Sequence, residues 1–179
     1  MSMVLREELS EGIVAITLNR PESLNALSPA LFSELNQIVT ELSKQTDSVG
    51  CVILRGAGRC FSAGNDLKAV RSGVKAKEKF FQAKTIDLIE KLPQPTIASV
   101  HGHCLTGALE LAIACDLMIT SESANLADTH GKWGMVPGWG MSVRLPRRVG
   151  LLKAKEMMFT GMSINGLQAV EIGLSSQCV

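Results

Sequence analysis

Glu110 stands inside the run Thr106-Gly107-Ala108-Leu109-Glu110-Leu111-Ala112-Ile113-Ala114-Cys115, a lone charge among small and apolar residues. A carboxylate placed there has two readings. It compensates the unpaired N–H groups of a first helical turn. Or it is partly buried, because its neighbours leave little polar surface; its affinity for a proton is then raised, and it can act as an acid or base. The segment Phe61-Ser62-Ala63-Gly64-Asn65-Asp66-Leu67-Lys68 offers a complementary chemistry. Its small residues let a ligand approach the backbone closely, and exposed N–H groups there can bind an oxyanion.

Other constellations fail on spacing. Gly56-Ala57-Gly58 follows an apolar run, but Phe61 occupies the third glycine position of a dinucleotide fingerprint. Gly102 and Gly107 have the spacing of phosphate-loop glycines, yet Ala108 and Leu109 stand where Lys and Ser/Thr are needed. Ser142 lacks the second glycine of a nucleophile elbow. His101, His103 and Cys104 lie close together, but no second ligand cluster accompanies them, so a structural role is expected and no metal.

The elements that must position these residues alternate. Residues 12–18, 51–54, 96–100 and 117–120 are short apolar runs that read as strands. Between them, residues 19–25 are turn chemistry and 56–64 a glycine-rich loop. Ser28 caps a helix opened by Pro29, with Leu31, Leu35, Ile38, Val39 and Leu42 on one face. Further helices are predicted over 76–91, 106–115, 141–149 and 151–160, with Pro93 and Pro95 breaking the first of these. The alternation predicts an α/β fold with parallel strands. A single domain over 1–179 is the simplest organisation.

Composition narrows the function classes. The chain has 179 residues, 46% of them hydrophobic, enough for a buried core. A net charge of +1, only 4% aromatics and no tyrosine argue against a nucleic-acid partner. The five cysteines are scattered without a CxxC pair, as expected for free thiols in a reducing compartment. No apolar run reaches the roughly 18 residues that span a membrane. The first ten residues carry Arg6, Glu7 and Glu8 and lack a signal-peptide core, and the last three are no peroxisomal signal. A cytoplasmic protein is the expectation, with an organelle left open.

The ordered motifs resemble the enoyl-CoA hydratase/isomerase (crotonase) superfamily. They run Ile16-Thr17-Leu18-Asn19-Arg20-Pro21 and Asn25-Ala26-Leu27; Phe61 through Leu67; Pro95-Thr96-Ile97-Ala98 and His101-Gly102; Gly107-Ala108-Leu109-Glu110-Leu111-Ala112 and Cys115-Asp116; Gly134-Met135-Val136-Pro137-Gly138; Arg144-Leu145 and Val149-Gly150; and residues 169–174. Each is weak alone; the ordered set covers nearly the whole chain. The resemblance implies a spiral of ββα units, a homotrimer or hexamer, and an acyl-CoA thioester substrate, with coenzyme A part of the substrate and no separate cofactor. It implies an oxyanion hole from the N–H groups of Asn65 and Gly107. It also implies that Asn25, Ala26, Leu27, Ala63, Asp66, Leu67 and Lys68 help hold the CoA portion.

Two departures qualify the resemblance. The family's hydratases use two glutamates. Glu110 matches the first, but counting back from Gly134 puts His130 at the second, with Asp128 two positions away. A histidine can serve as acid or base near neutral pH, or merely line the pocket. Thr106-Gly107-Ala108 also replaces the family's glycine run, keeping the one glycine an oxyanion hole needs. Second, family members continue past this point with helices that finish the pocket and the oligomer contact, so a missing C-terminal helical part is expected here. The leading expectation is a hydro-lyase of fatty-acid β-oxidation or related acyl-CoA metabolism. It would hydrate 2-trans-enoyl-CoA, with Glu110 and His130 catalytic. A Δ3,Δ2-enoyl-CoA isomerase, for which one carboxylate suffices, and a non-catalytic acyl-CoA-binding protein are the alternatives.

Overall fold

Apolar runs bounded by turn residues become the strands of a twisted sheet, and the amphipathic runs cover it. The computed structural model describes residues 2–73 and 77–179. One sheet has six strands in the order β1 (Val4–Ser10), β2 (Ile13–Leu18), β3 (Cys51–Gly56), β4 (Thr96–Val100), β6 (Leu117–Thr120) and β9 (Gln177–Cys178). Every pairing in it is parallel except that of β1 with β2. A smaller sheet joins β5 (His103–Leu105), β7 (Asn125–Ala127) and β8 (Ser163–Ile164). Two sheets fed by successive crossovers form the α/β spiral that the motifs imply.

The helix α1 (Pro29–Leu42) begins where expected: the Ser28 hydroxyl accepts from Leu31 N, and Pro29 opens the first turn. Its face of Leu31, Phe32, Leu35, Val39 and Leu42 is buried in the main core with Ile16, Leu18 and Leu54 from the sheet. Next come α2 (Leu67–Arg71) and α3 (Phe81–Glu90). The predicted helix over 76–91 is thus shorter than expected: Phe80 has φ 62° and cannot continue a right-handed helix backwards. Ala76 lies outside the described residues.

The central helix α4 (Gly107–Ala112) is also shorter than its predicted span of 106–115. Thr106 at φ 55° starts it abruptly. Arg148, on α5 (Met141–Val149), donates to the carbonyls of Ile113, Cys115 and Asp116 just beyond its end. The chain continues through α6 (Leu151–Thr160) and α7 (Gly166–Glu171), the latter opened by a reciprocal Asn165–Gln168 capping box. Among the described residues no helix is long and apolar enough to cross a membrane.

Candidate active site

The two backbone segments singled out from the sequence meet because strand β5 runs beside the chain leaving β3. Phe61 N donates to His101 O, Ser62 N to His103 O, and Leu105 N to Ser62 O. Across the other side, Leu27 N donates to Gly64 O (2.8 Å) and Leu27 O accepts from Asp66 N (3.2 Å). These bonds tie down both residues flanking Asn65. Among the described residues, neither Asn65 N–H nor Gly107 N–H has an acceptor within the protein. Only glycine fits at 64: φ is +96°, and a Cβ there would lie 2.6 Å from Leu105 O and 3.6 Å from Gly107 N. Two unpaired donors, one on each side of that contact, therefore share one locale.

Glu110 is 1% exposed, so the buried reading holds, although it does lie in the first turn of α4. Its Oε1 accepts from Trp139 N (2.7 Å) and Met141 N (3.0 Å). Its Oε2 lies 3.6 Å from His130 Nε2. Burial pushes the Glu110 carboxyl above the ordinary carboxylate range; the two N–H donors and the nearby imidazole pull it only part of the way back. On the far side of the ring, His130 Nδ1 lies 2.6 Å from Asp128 Oδ1. The order in space is therefore Glu110, His130, Asp128, with every member buried.

The loop that donates to Glu110 is itself braced. Arg144 Nη1 donates to Trp139 O (2.7 Å), and Nη2 donates to Asp87 (2.5 Å) and Glu90 (2.6 Å) on α3. The Trp139 indole lies against the Cα of Gly107 and meets Phe32 edge to face at 5.0 Å between ring centroids. Nothing in the sequence around Arg144 marks it as a site residue; its place in Arg144-Leu145 only carries the resemblance.

A cavity of about 380 Å³ opens beside Asn65, lined also by Ala63, Leu67, Leu105, Thr106, Thr129 and Met135. A second, of about 350 Å³, shares Leu67 and is framed by Arg20, Ala26, Arg59, Asp66 and Lys68. Of the residues expected to hold a ligand, Ala26, Ala63, Asp66, Leu67 and Lys68 thus face one of two adjoining hollows. Asn25 and Leu27 do not. Asn25 is fully buried: its Nδ2 donates to Ala57 O and Cys60 O, and its Oδ1 accepts from Arg20 N. At φ 53° it is the hinge of the loop rather than a contact surface. Leu27 is packed in the core and acts only through its backbone pairing beside Asn65.

His130 does not line the first cavity. With Asp128, Pro137, Met158 and Phe159 it lines another of about 420 Å³, and Met135 borders both. Thr106 and Thr129 hydroxyls face each other at 2.6 Å at the wall between. His101, given a structural role from the sequence, bonds through Nε2 to Gly58 O (2.9 Å). Among the described residues no three His, Cys, Asp or Glu side chains are grouped as a metal would need.

The sequence matches the enoyl-CoA hydratase/isomerase family over residues 8–179. It is 36% identical over 170 residues to a protein of Arabidopsis thaliana named probable enoyl-CoA hydratase 1, peroxisomal, covering 95% of this chain and 64% of that protein. It is 38% identical to an enoyl-CoA isomerase/hydratase of Mycosarcoma maydis, covering 91% of this chain and 64% of that one. The chain thus spans just under two thirds of the length of these relatives. The fold superposes on the crystal structure of an enoyl-CoA hydratase from Bacillus anthracis with a TM-score of 0.90, at 38% identity, over 99% of this chain and 70% of that one. It also superposes on a monofunctional enoyl-CoA isomerase from M. smegmatis with a TM-score of 0.84, at 32% identity, over 100% of this chain and 78% of that one.

Proposed function

The chain belongs to the enoyl-CoA hydratase/isomerase family, and from that premise we propose that it hydrates 2-trans-enoyl-CoA thioesters. One observation carries the reading: the buried Glu110 carboxylate faces His130 Nε2 at 3.6 Å, in the helical turn that begins with the free N–H of Gly107. The thioester oxygen accepts from Asn65 N–H and Gly107 N–H. Those donors bind the enolate oxygen more strongly than the ground-state carbonyl, and one such donor is worth on the order of 10²–10³ in rate. Glu110 takes a proton from water as its oxygen attacks C3. His130, protonated and lining the cavity that shares Met135 with the one beside Asn65, delivers a proton to C2. Glu110 then returns its proton to His130 across the short gap, and both groups are reset.

Binding follows the two hollows. Arg20, Arg59 and Lys68 suit the phosphates of coenzyme A, and Leu67, shared by both, marks the passage to the acyl cavity. Assembly as a trimer or hexamer, and a place in fatty-acid β-oxidation in the cytoplasm or an organelle, belong to the same proposal. The five free thiols suit a reducing compartment.

The isomerase reading is favoured by one specific feature: a single glutamate faces a histidine, where the resemblance gives the family's hydratases two glutamates. Glu110 alone would carry a proton between C2 and C4. The deciding assay follows loss of the conjugated thioester absorbance of a short trans-2-enoyl-CoA, with product mass. A gain of one water, lost by about two orders of magnitude in Glu110→Gln, supports hydration. Turnover unchanged in that variant overturns the assignment. A shifted double bond without added water selects isomerisation.

A further inference from the structure

We propose that Asp128 is a positioning residue, which holds His130 in the Nδ1–H tautomer and so reserves Nε2 for proton exchange with Glu110. The catalytic consequence rests on the acyl-CoA reading above; the tautomer does not.

Asp128 is 1% exposed and follows β7, whose pairing with β5 fixes its backbone. Its Oδ1 accepts from His130 N (3.1 Å) and contacts His130 Nδ1 at 2.6 Å. One oxygen thus grips the backbone and the ring of the same residue, which fixes the ring plane. A carboxylate only accepts, so the proton of the neutral ring must reside on Nδ1. With the opposite tautomer, a lone pair would face a carboxylate oxygen at that same short distance. Once Nδ1 carries the proton, Nε2 presents its lone pair, or in the cation a second proton, toward Glu110 Oε2.

The surroundings make a purely structural role a poor explanation. Asp128 Oδ2 is buried with no hydrogen-bond partner among the described residues. A carboxylate serving only to knit the fold would be expected to satisfy both oxygens. Among the described residues, the charged groups within 4 Å of the ring nitrogens are Glu110 from α4 and Asp128 itself, and Lys132 follows two positions on in the same turn. The other residues of the adjoining cavity are Gly131, Met135, Val136, Pro137, Met158 and Phe159, none of them charged. Among the described residues, the imidazole is the one side chain hydrogen-bonded to the Asp128 carboxylate. It stands between two carboxylates, one holding a proton on the far nitrogen and one trading a proton with the near nitrogen.

The test uses the chain's three histidines, few enough for imidazole nitrogen NMR. In the unmutated protein, neutral His130 should show a protonated Nδ1, the tautomer free histidine disfavours. Asp128→Asn keeps the shape but can donate to Nδ1, so His130 should shift toward Nε2–H. Turnover on a short enoyl-CoA should fall about 100-fold or more with KM little changed, the scale of lost acid–base catalysis. In a His130→Gln background, Asp128→Asn should cost no further turnover. An Nε2–H tautomer in the unmutated protein, or one unaltered in Asp128→Asn, overturns the proposal. So does an equal loss of turnover in the His130→Gln background. If the tautomer switches as expected and no enoyl-CoA is turned over, the positioning stands and the assigned reaction fails.

Discussion

Arg144 supports Glu110 through Trp139: its Nη1 donates to Trp139 O, and the N–H of that same residue donates to Glu110 Oε1, each at 2.7 Å. The brace reaches back to Asp87 and Glu90, more than fifty positions earlier in the chain. Arg144→Lys keeps the charge but loses the fork that serves three acceptors at once. Asp87 and Glu90 are about half exposed and can rehydrate, so the stability loss should stay near 2 kcal/mol, the scale of charged hydrogen bonds. Turnover should fall more than tenfold, with KM nearly constant. A variant that loses stability but keeps its turnover would show that the Trp139–Met141 loop holds Glu110 without help.

Gly107 is close-packed as well as free to donate. A Cβ there would clash with Trp139 Cζ3 and lie 2.9 Å from Cε3, and the indole has Phe32 beside it. Gly107→Ala should therefore push the loop and draw its N–H groups away from Glu110. The expected outcome is a loss of about 1–3 kcal/mol, the range for overpacking, and at least a tenfold fall in turnover. Gly138→Ala, where a Cβ meets nothing within 4 Å, should be close to neutral. Equal effects from the two substitutions would remove Trp139 packing from the explanation.

The parts of this molecule that read cleanly from sequence are those whose burial is local and continuous. Residues 96–100 and 117–120 are apolar runs with a strand on either side, and the structure keeps those bounds. The helices over 141–149 and 151–160 also hold their bounds. Strand β1 did not show because, after Val4, its side chains are all exposed; Arg6, Glu7 and Glu8 sit on a sheet edge. Strands β5, β7, β8 and β9 have two or three residues, too few to display any period. The site divides the same way. Glu110 stood out as a charge in an apolar run. Arg144 did not, because its burial depends on carboxylates brought from α3. The Asp128–His130 contact had a signal in its two-residue spacing, but spacing alone does not say that both side chains turn inward.

Arg20 ties the two loops around the polar hollow. Its Nη1 donates to Asp66 Oδ2 (2.9 Å) and Ala26 O (2.6 Å). Burial alone would raise the Asp66 carboxyl, but Arg20 and the N–H groups of Ala69 and Lys68 outweigh it and hold it below the usual carboxylate range. A depressed value means stabilisation present at neutral pH and lost as pH falls through it. Arg20→Ala should lower Tm at neutral pH, and the gap from the unmutated protein should close in acid. KM for a CoA thioester should rise about tenfold, the loss expected for one charged contact, with kcat little changed. A fall in kcat at constant KM would place Arg20 with the chemistry rather than with the CoA.

Glu110 should oppose stability to activity, and pH should reveal it. Burial raises its carboxyl in the folded protein above the value in the unfolded chain. Between those two values the folded state holds the proton more tightly. Its contribution to stability is therefore complete below the unfolded value and is lost as pH rises through the folded one. Ionisation of the side chain is thus a burden on the fold, which the proposed role of Glu110 as a base accounts for. Glu110→Gln keeps an oxygen to accept from Trp139 N and Met141 N and removes the ionisation. Its Tm should exceed that of the unmutated protein near pH 7, and the difference should shrink toward about pH 4, the ordinary glutamate value. Over the same range, kcat/KM of the unmutated protein should fall on acidification, beginning at a higher pH than an ordinary carboxylate would give. A Gln variant that is less stable at neutral pH, or a difference that does not move with pH, would show that the carboxylate is fully supported by its two N–H donors and His130, and that the site stores no strain for the reaction to use.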